Sequence, residues 1–392
     1  MNYSYACCSR RQFISMGTSA LAGAALKSVR AAEVAGKDSN AKVAIAMCSG
    51  YGPEVKAALN KNFDLLGGIG NLVRDKTVTV KINLTGSDFK NMLGRSVGET
   101  YMTHPSTVMA LTTVLFDAGA KRVRFVESTN LRQPLEKTLL QAGYDVNALM
   151  ATGKVELEDT RNLGKSRDYA TLKVPGGGIM FENFDLNRAY ADTDVFVSLC
   201  KLKTHVTTGV TLTMKNLFGI TPNALYGDES PSENTVSGRG RMHDLVGWEE
   251  RKNPDPYDPP GAKALFFEKR DGGYRVPRII TDLCYARPIH LGIIDGITTI
   301  TYAEGPWVND KPQAFINPGV LICGLNPVAT DAVGMAVMGF DNVRATRGIM
   351  PFRSGDNHLL LAEQCGLGPA DLSKIEVLGV PVEKVRSKQF II

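Results

Sequence analysis

Beyond the first ten residues, closely spaced cysteines are absent from this sequence of 392 residues. Cys7 and Cys8 lie near the start, and the other five cysteines are separated by long stretches without a CxxC pattern. Because iron–sulfur clusters and cysteine-rich zinc sites need closely spaced thiolates, the sequence argues against both. Each remaining cysteine lies in apolar sequence, which favours buried free thiols and leaves a disulfide open. These five are Cys48, Cys200, Cys284, Cys323 and Cys365.

A strong charge excess is also missing once the N-terminus is set aside. The formal net charge is +5, from 45 basic and 40 acidic residues. Four of the basic residues lie within residues 1–31, which contain no acidic residue. The rest of the chain is nearly neutral, so no nucleic-acid partner follows from its charge. No apolar run is long enough to predict a stable membrane span.

Several catalytic signatures have no counterpart in the sequence. It contains no serine nucleophile elbow, no HExxH zinc motif, no Walker loop and no nicotinamide fingerprint. The glycines at 67, 68 and 70 follow a predicted helix rather than a strand, so they do not fit the dinucleotide pattern. Candidate chemistry must therefore be sought in the residues that follow the predicted strands.

The N-terminus carries a twin-arginine pattern. Arg10 and Arg11 stand in the run SRRQFI, and a small, mildly apolar segment to residue 26 precedes a basic stretch. This order is typical of a signal peptide for the twin-arginine translocase, and Val29 and Ala31 suit a cleavage site. We therefore expect a signal over residues 1–31, a linker over 32–40 and a periplasmic protein. The alternative is a chance arginine pair before an N-terminal helix.

Strands and helices alternate along the rest of the chain. Apolar runs of strand length are followed by helices that begin near Pro and end at Gly. This alternation predicts an α/β fold, a doubly wound, mainly parallel sheet in a single domain over residues 41–392. Residues 221–275 are rich in Gly, Pro and charge. They predict an irregular, lid-like insertion, or alternatively a disordered surface excursion.

The predicted elements can be placed by residue number. The predicted strands cover residues 43–47, 77–82, 122–126, 195–200, 290–294, 319–324 and 375–380, with further short strands between 155 and 186. The predicted helices cover residues 53–66, 103–118, 134–142, 276–286, 326–338 and 357–365.

Residues 195–219 form the most distinctive stretch, VFVSLCKLKTHVTTGVTLTMKNLFG. Lys201, Lys203 and His205 alternate directly after the predicted strand, and Lys215 and Asn216 follow a Thr/Gly-rich segment. Side chains two apart in an extended segment point the same way, so we expect three nitrogen groups to line up beyond the strand. The alternative is a solvated strand end with ordinary surface lysines.

Other predicted strands also end in ionisable or amide side chains. Ligands of open parallel sheets bind outside the carboxyl ends of the strands, so we expect these residues to share a cleft. Lysines can neutralise an anion, imidazoles transfer protons or bind metals, and carboxylates bind hard cations. The candidate catalytic residues are His205, His104 and Lys215. The candidate cofactor-binding residues are Lys81, Asn83, Lys201, Lys203 and Asn216. The candidate metal ligands are His243, Asp295 and Glu127, so a divalent metal or a nucleotide is the cofactor to test.

Several of these stretches resemble the domain-of-unknown-function family 362. The resemblance spans most of the chain and rests on KINL, THPSTVMALTTVLFDAGAKRV, CKLKTHVTTGVTLTMKNLFG, LGIIDGI, AEGP and NPVATDAVG. Many members of that family carry ferredoxin-like iron–sulfur modules, whose cysteines this sequence lacks. The resemblance therefore implies no electron transfer through a cluster, and it implies no established reaction.

A second resemblance concerns His205 and Lys215. Their spacing and Gly/Thr-rich context are similar to those of the His and Lys that hold a nickel pincer nucleotide in lactate racemase-like proteins. In those proteins the Lys is attached covalently, so the resemblance implies a cofactor of that kind as one candidate.

The sequence therefore favours an exported enzyme that acts on an anionic small molecule with a bound metal or nucleotide. One alternative is a non-catalytic periplasmic protein that binds an anion or a metal. Another is a structural accessory protein, in which the strand-end charges are scattered over the surface.

Overall fold

A central sheet and its covering helices account for most of the fold. The computed structural model describes residues 41–161, 168–233, 235–243, 258–302, 304–306 and 312–391. The predicted signal and linker over residues 1–40 lie outside these ranges. The described strands are β1 (Ala41–Met47), β2 (Thr77–Lys81), β3 (Arg122–Glu127), β4 (Val155–Asp159), β5 (Tyr169–Lys173), β6 (Asn183–Asn187), β7 (Val195–Lys201), β8 (Thr204–His205), β9 (Gly209–Val210), β10 (Leu291–Gly296), β11 (Thr299–Ile300), β12 (Phe315–Ile316), β13 (Val320–Gly324) and β14 (Ile375–Gly379).

Helices occupy the connections between these strands. The described α-helices are α1 (Glu54–Leu65), α2 (Gly70–Val73), α3 (Val97–Thr100), α4 (Pro105–Asp117), α5 (Leu135–Gln141), α6 (Val146–Ala151), α7 (Leu212–Asn216), α8 (Asn223–Tyr226), α9 (Gly240–His243), α10 (Ala264–Glu268), α11 (Gly272–Ala286), α12 (Pro327–Val337), α13 (His358–Gln364) and α14 (Val382–Val385). Short 3₁₀ turns cover Pro175–Gly177, Arg188–Tyr190, Leu217–Ile220 and Leu372–Lys374.

The main sheet has eight strands in the order β14-β1-β13-β10-β7-β2-β3-β4. β13 runs antiparallel to both of its neighbours, and every other pair in this sheet is parallel. The carboxyl ends of β1, β10, β7, β2 and β3 therefore lie at the same edge. The predicted mainly parallel α/β sheet is confirmed, and this edge is where a ligand is expected in such a fold.

Both faces of the sheet are covered by helices. Along β7, Phe196 and Cys200 belong to an apolar cluster shared with α11 and α12, whereas Val195, Val197 and Leu199 belong to a cluster shared with α1 and α4. Successive strand residues face opposite sides, so one strand supplies both clusters. Each fully buried side chain of this kind stabilises the fold by roughly 1.5–3 kcal/mol. The sheet is therefore doubly wound.

Helix boundaries follow local capping chemistry. The Nδ1 of His104 accepts the Ser106 N–H at 3.1 Å, and Pro105 is the first residue of α4. Gly119, with a φ of +93°, follows the end of the helix in the left-handed region that glycine favours. α11 begins at Gly272, four residues before its predicted start, because the Asp271 carboxylate accepts the Gly273 N–H at 2.9 Å.

β4 lies in the stretch for which further short strands were predicted, between residues 155 and 186. It pairs in parallel with β3 and forms an edge of the main sheet. Val155, Leu157 and Asp159 in this strand are all buried. β5 and β6 form a separate antiparallel hairpin.

The five cysteines of the described chain are free, with four buried and Cys365 partly exposed. Within the residues that the structure describes, no helix combines the length and apolar character needed to cross a membrane.

Candidate functional site

A polar cavity of about 260 Å³ opens where β2, β3 and β7 end. We call it the strand-end cavity. Its wall combines residues that directly follow these strands with residues from α7, the segment after α8 and the loop near residue 304. The lining residues are Lys81, Asn83, Leu84, Thr85, Glu127, Ser128, Asn130, Lys203, His205, Thr211, Lys215, Asn216, Phe218, Gly219, Gly238, Arg239, His243 and Glu304.

Lys203 occupies one side of the cavity and is almost fully buried. Its Nζ donates to the Asn83 Oδ1 at 3.1 Å, to the Tyr101 carbonyl oxygen at 2.9 Å and to the Glu304 carbonyl oxygen at 2.6 Å. Burial lowers the pKa of Lys203 to about 7, with Glu304 opposing the shift and Lys215 adding to it. The ammonium is therefore fixed in position and easily deprotonated.

Asn83 and Asn216 join Lys203 to the ends of two strands. The Asn83 Nδ2 donates to the Asn216 Oδ1 at 3.2 Å. The Asn216 Nδ2 in turn lies 3.2 Å from the Lys81 carbonyl oxygen and 3.1 Å from the Ser198 Oγ. Because this network is buried and paired on both sides, it orients the two amides facing the cavity.

Lys81 and Glu127 form a buried ion pair in the cavity wall. The Lys81 Nζ lies 2.7 Å from the Glu127 Oε1, and both side chains are at most 5% exposed. The Glu127 carboxylate also accepts the N–H groups of Leu84 and Ser128. Burial lowers the pKa of Lys81, while the neighbouring Glu127 raises it. This pair is neutral as a unit, so it contributes shape and hydrogen bonds rather than net charge.

α7 presents Lys215 and Asn216, and Asp331 anchors its start. The Asp331 Oδ1 accepts the Thr213 N–H at 2.8 Å, and its Oδ2 accepts the Met214 N–H at 2.9 Å. The chain enters this helix through Leu212, a non-glycine residue with a φ of +41°. The buried carboxylate therefore stabilises a strained backbone segment that carries two cavity residues.

Lys215 faces the cavity from the end of α7. Within the described part of the chain its Nζ has no hydrogen-bond acceptor, and it lies 4.4 Å from the centre of the Phe218 ring. Burial lowers the pKa of Lys215 to about 8, with Glu304 opposing and Arg239 and Lys81 adding to the shift. A cation–π contact leaves all three N–H donors available to a ligand.

Two imidazoles border the cavity, and both are neutral near pH 7. The Nδ1 of His205 accepts the Thr207 N–H at 3.1 Å, which leaves the ring proton on Nε2. Burial, followed by the charge of Lys215, lowers the pKa of His205 well below its usual value. The same two causes lower the pKa of His243 to about 3, and its ring meets Phe218 edge-on at 4.8 Å.

Glu304 supplies the carboxylate next to His205. Its Oε2 accepts the Val206 N–H at 2.8 Å and lies 3.1 Å from the His205 Nδ1. Because that nitrogen already accepts the Thr207 N–H and the ring is neutral, the close approach is not an ion pair. Glu304 instead adds one negative charge to a wall that is otherwise cationic.

Arg239 enters the cavity from the predicted insertion. Its Nη2 donates to the Ser128 Oγ and its Nε to the Thr221 carbonyl oxygen, both at 2.8 Å. Burial lowers the pKa of Arg239 to about 10, so it stays protonated at neutral pH. Beyond the neutral Lys81–Glu127 pair, Lys203, Lys215 and Arg239 therefore face one carboxylate, Glu304.

A second polar cluster lies outside the cavity wall, and we call it the Tyr51 cluster. The Lys201 Nζ donates to the Tyr51 Oη at 2.6 Å and lies 3.4 Å from the Asp295 Oδ2. Thr107 Oγ1 donates to the same Asp295 oxygen at 3.0 Å. The His104 ring stacks on Tyr51 with a centroid distance of 3.4 Å.

The prediction that Lys201 lines up with Lys203 and His205 is therefore wrong. β7 ends at Lys201, and the chain bends before His205 pairs in the separate ribbon of β8 and β9. Side chains two residues apart point the same way only in an extended segment, so the bend ends this alternation. His104 and Asp295 also lie in the Tyr51 cluster, away from the catalytic and metal-binding residues with which they were grouped.

The predicted site residues thus divide between two places. The structure brings together eight of them in the strand-end cavity, which are Lys81, Asn83, Glu127, Lys203, His205, Lys215, Asn216 and His243. The three candidate metal ligands have other contacts in the structure. Glu127 pairs with Lys81, and the His243 ring packs against Phe218. Asp295 accepts a hydrogen bond from the Tyr51 hydroxyl group. Among the residues that the structure describes, no three His, Cys, Asp or Glu side chains are placed to hold a metal ion.

Arg239 and Ser128 are cavity residues that the predicted set left out. The run SGRGRMH marked Arg239 as part of a small basic cluster, but its irregular surroundings gave no strand end from which to place it. Ser128 directly follows Glu127, so the strand-end rule that selected Glu127 could also have selected it.

The solved structures that are similar to this chain share little sequence identity with it. No curated protein matches the sequence. The lactate racemase apoprotein from Thermoanaerobacterium thermosaccharolyticum is a structural neighbour with 16% sequence identity and a TM-score of 0.35, covering 71% of this chain and 54% of its own. A protein from Thermotoga maritima is a second structural neighbour, with 14% sequence identity and a TM-score of 0.35. The match covers 70% of this chain and 55% of that protein. The chain thus spans about half the length of these solved chains.

Family membership rests on a longer match. Residues 78–336 match the family described as Domain of unknown function (DUF362). This span runs from β2 to α12 and includes every residue of the strand-end cavity. Because the match covers more than half of the sequence, the chain belongs to the DUF362 family.

Proposed function

We propose that this protein is an exported enzyme that binds a small anionic molecule in the strand-end cavity. The observation that carries the proposal is the convergence of Lys203, Lys215 and Arg239 on one polar cavity, where Glu304 is the one carboxylate among the described lining residues that is not paired with a lysine. Cationic groups held in a partly dehydrated site attract carboxylate or phosphate more strongly than they do in water. His205 and His243 border the same cavity as neutral imidazoles, so each can exchange a hydrogen bond with a bound ligand.

The size of the cavity bears on the ligand class. Pockets for drug-sized ligands measure roughly 300–1,000 Å³. The strand-end cavity, at about 260 Å³, suits a small organic acid better than a whole nucleotide. A metal remains part of the prediction from sequence, but the described side chains form no three-ligand metal group.

Export belongs to the same proposal. Arg10 and Arg11 in SRRQFI support passage through the twin-arginine translocase to the periplasm. The partners proposed are thus that translocase during export and a small anion afterwards, with no nucleic acid.

A non-catalytic anion-binding protein is the second candidate. The observation in its favour is that Lys203 and Arg239 are already held by protein acceptors. Such fixed donors can hold a ligand without transforming it.

The deciding experiment measures binding and turnover in the same preparation. Small carboxylates and inorganic phosphate are screened by thermal shift, and positive ligands are followed by proton or phosphorus NMR for consumption. Binding with consumption supports the enzyme, and binding without consumption supports the second candidate. The absence of binding by every acid, with Lys203→Met behaving like the native protein, would contradict both.

A further inference from the structure

Lys215 differs from the other cations of the strand-end cavity. Lys81 is paired with Glu127, Lys203 donates to three oxygen atoms, and Arg239 donates to Ser128 and Thr221. The Lys215 Nζ has no such acceptor among the described residues. Among the described cations of the cavity, Lys215 can therefore react with a ligand without first giving up a hydrogen bond to the protein.

The surroundings of Lys215 make its ammonium easier to deprotonate. The side chain is 9% exposed and other cations lie nearby, and these effects outweigh the Phe218 ring, which stabilises the ammonium. Burial and like charges both disfavour protonation, which is consistent with a pKa of about 8. An unprotonated lysine in such a pocket is the usual nucleophile toward a carbonyl carbon.

Anchoring and reaction can occur together in this cavity. Arg239 is held by Ser128 and Thr221 and stays protonated at neutral pH, so it can orient the carboxylate of a substrate while its carbonyl carbon meets Lys215. Asp331 fixes α7 through Thr213 and Met214, which limits the movement of the amine. Binding of the carboxylate and reaction with the carbonyl group are therefore assigned to different side chains of the cavity.

We propose that Lys215 forms an imine with the carbonyl group of a small 2-oxo acid bound in the strand-end cavity. This inference rests on the proposed function, which supplies the carboxylate-binding groups. The neutral Nζ attacks the carbonyl carbon, a C–N bond forms as the C=O π bond breaks, and a proton passes from the nitrogen to the oxygen to give a carbinolamine. Protonation of its hydroxyl group and loss of water then give the iminium ion. The balance is one amine, one carbonyl and one proton in, and one iminium and one water out.

Neighbouring groups can move these protons. Neutral His205 and neutral His243 both border the cavity with Lys215. Burial is the main cause of their low pKa values and the charge of Lys215 adds to it, so a neutral Lys215 raises both pKa values. Either ring can therefore hydrogen-bond to the carbinolamine oxygen as the proton arrives.

Reductive trapping tests the proposal on the whole mature protein. The protein is incubated with pyruvate and cyanoborohydride, digested, and mapped by peptide mass spectrometry. We expect the reduced adduct on Lys215, its loss in Lys215→Arg, and protection by propionate, which carries the carboxylate but no carbonyl. Lys121→Arg is the matched control, because Lys121 is exposed at the opposite edge of the sheet, just before β3. That variant keeps the Lys215 adduct.

The outcomes separate this inference from the proposed function. If propionate stabilises the protein but pyruvate gives no Lys215 adduct, the imine is refuted and anion binding stands. Labelling spread over exposed lysines without enrichment at Lys215 also refutes the imine. If neither acid binds and no adduct forms, both proposals fail. Because the adduct is mapped in the native protein, a poorly folded Lys215→Arg does not remove the test.

Discussion

Lys201 and Lys203 stand two residues apart in the chain, yet their ammonium groups belong to different polar clusters. The Lys201 Nζ lies 3.4 Å from the Asp295 Oδ2, whereas the Lys203 Nζ lies 3.1 Å from the Asn83 Oδ1. Substituting each of the two lysines in turn therefore tests ligand binding separately from structural support.

The first prediction compares Lys203→Met with Lys201→Met. Lys203→Met removes a fixed cation from the cavity, so we expect loss of the thermal stabilisation given by propionate. Lys201→Met leaves the fully buried Asp295 without its counter-charge, which costs about 3–5 kcal/mol of unfolding free energy. Because Lys201 does not line the cavity, the stabilisation by propionate should persist. Equal loss of binding in both variants would mean that the two clusters are not functionally separate.

The second prediction concerns the Lys81–Glu127 pair. Glu127→Gln leaves a buried ammonium without a counter-charge, so we expect destabilisation of about 3–5 kcal/mol in urea unfolding. Lys81→Met should lower the unfolding free energy by less, because the Leu84 and Ser128 N–H groups still donate to the Glu127 carboxylate. The double variant should lose less than the sum of the two single losses. Additive losses would show that the pair is not coupled.

The third prediction tests the Asp331 anchor of α7. Asp331→Asn replaces one acceptor oxygen with an NH₂ group that faces a backbone donor, so we expect a loss of roughly 1–3 kcal/mol of unfolding free energy. The displaced helix should also weaken trapping of pyruvate on Lys215. Asp117→Asn, at the exposed end of α4, is the control and should change neither quantity. Unchanged trapping in Asp331→Asn would show that the anchor does not position Lys215.

The fourth prediction follows from the lowered lysine pKa values. The pKa of Lys203 is about 7 and that of Lys215 about 8 in the folded protein, against 10.5 when exposed. Between these values the unfolded chain binds more protons, so the unfolding free energy should rise with pH across that window. Lys203→Met should reduce the rise. Anion binding requires the protonated form, so stabilisation by propionate should decline as pH rises through about 7 to 8. Urea unfolding and thermal shift across this pH range measure both effects, and a flat stability profile would contradict the assignment.

The fifth prediction concerns export. Replacing Arg10 and Arg11 with Lys together should retain the protein in the cytoplasm, because the translocase recognises the arginine pair. Fractionation of cells that express the whole chain measures this outcome. Lys27→Arg, which keeps the charge of the segment, should still be exported. Retention of the native chain in the cytoplasm would favour the chance arginine pair, and periplasmic recovery of the double variant would show that export does not depend on the two arginines.

The strands were predictable because their apolar runs are bounded by Gly, Pro and polar residues. β7 and β2 ended within one residue of their predicted ends, so Lys81, Asn83 and Lys203 could be placed at the cavity edge. The direction of β13 was not predictable, because a buried apolar run such as VLICG is compatible with both parallel and antiparallel pairing. The edge position of β4 likewise depends on its partner rather than on its own residues.

The site was harder to predict where position depends on a bend. Lys201 and Lys203 separate because the strand stops between them, and alternation cannot show where a strand stops. His104 was correctly placed at a helix start, but its stacking on Tyr51 depends on the distant β1 connection. Arg239 comes from an irregular segment without periodicity, so its contact with Ser128 could not be inferred from spacing.

The three acceptors of Lys203 come from distant parts of the chain, at sequence separations of 120, 102 and 101 residues. Contacts of this range form late, after the entropy of closing long loops has been overcome. The strand-end cavity is therefore complete only when the sheet from β2 to β10 has formed. Binding of an anion would then report the fully folded chain, and it would slow hydrogen exchange across the whole sheet rather than in one loop.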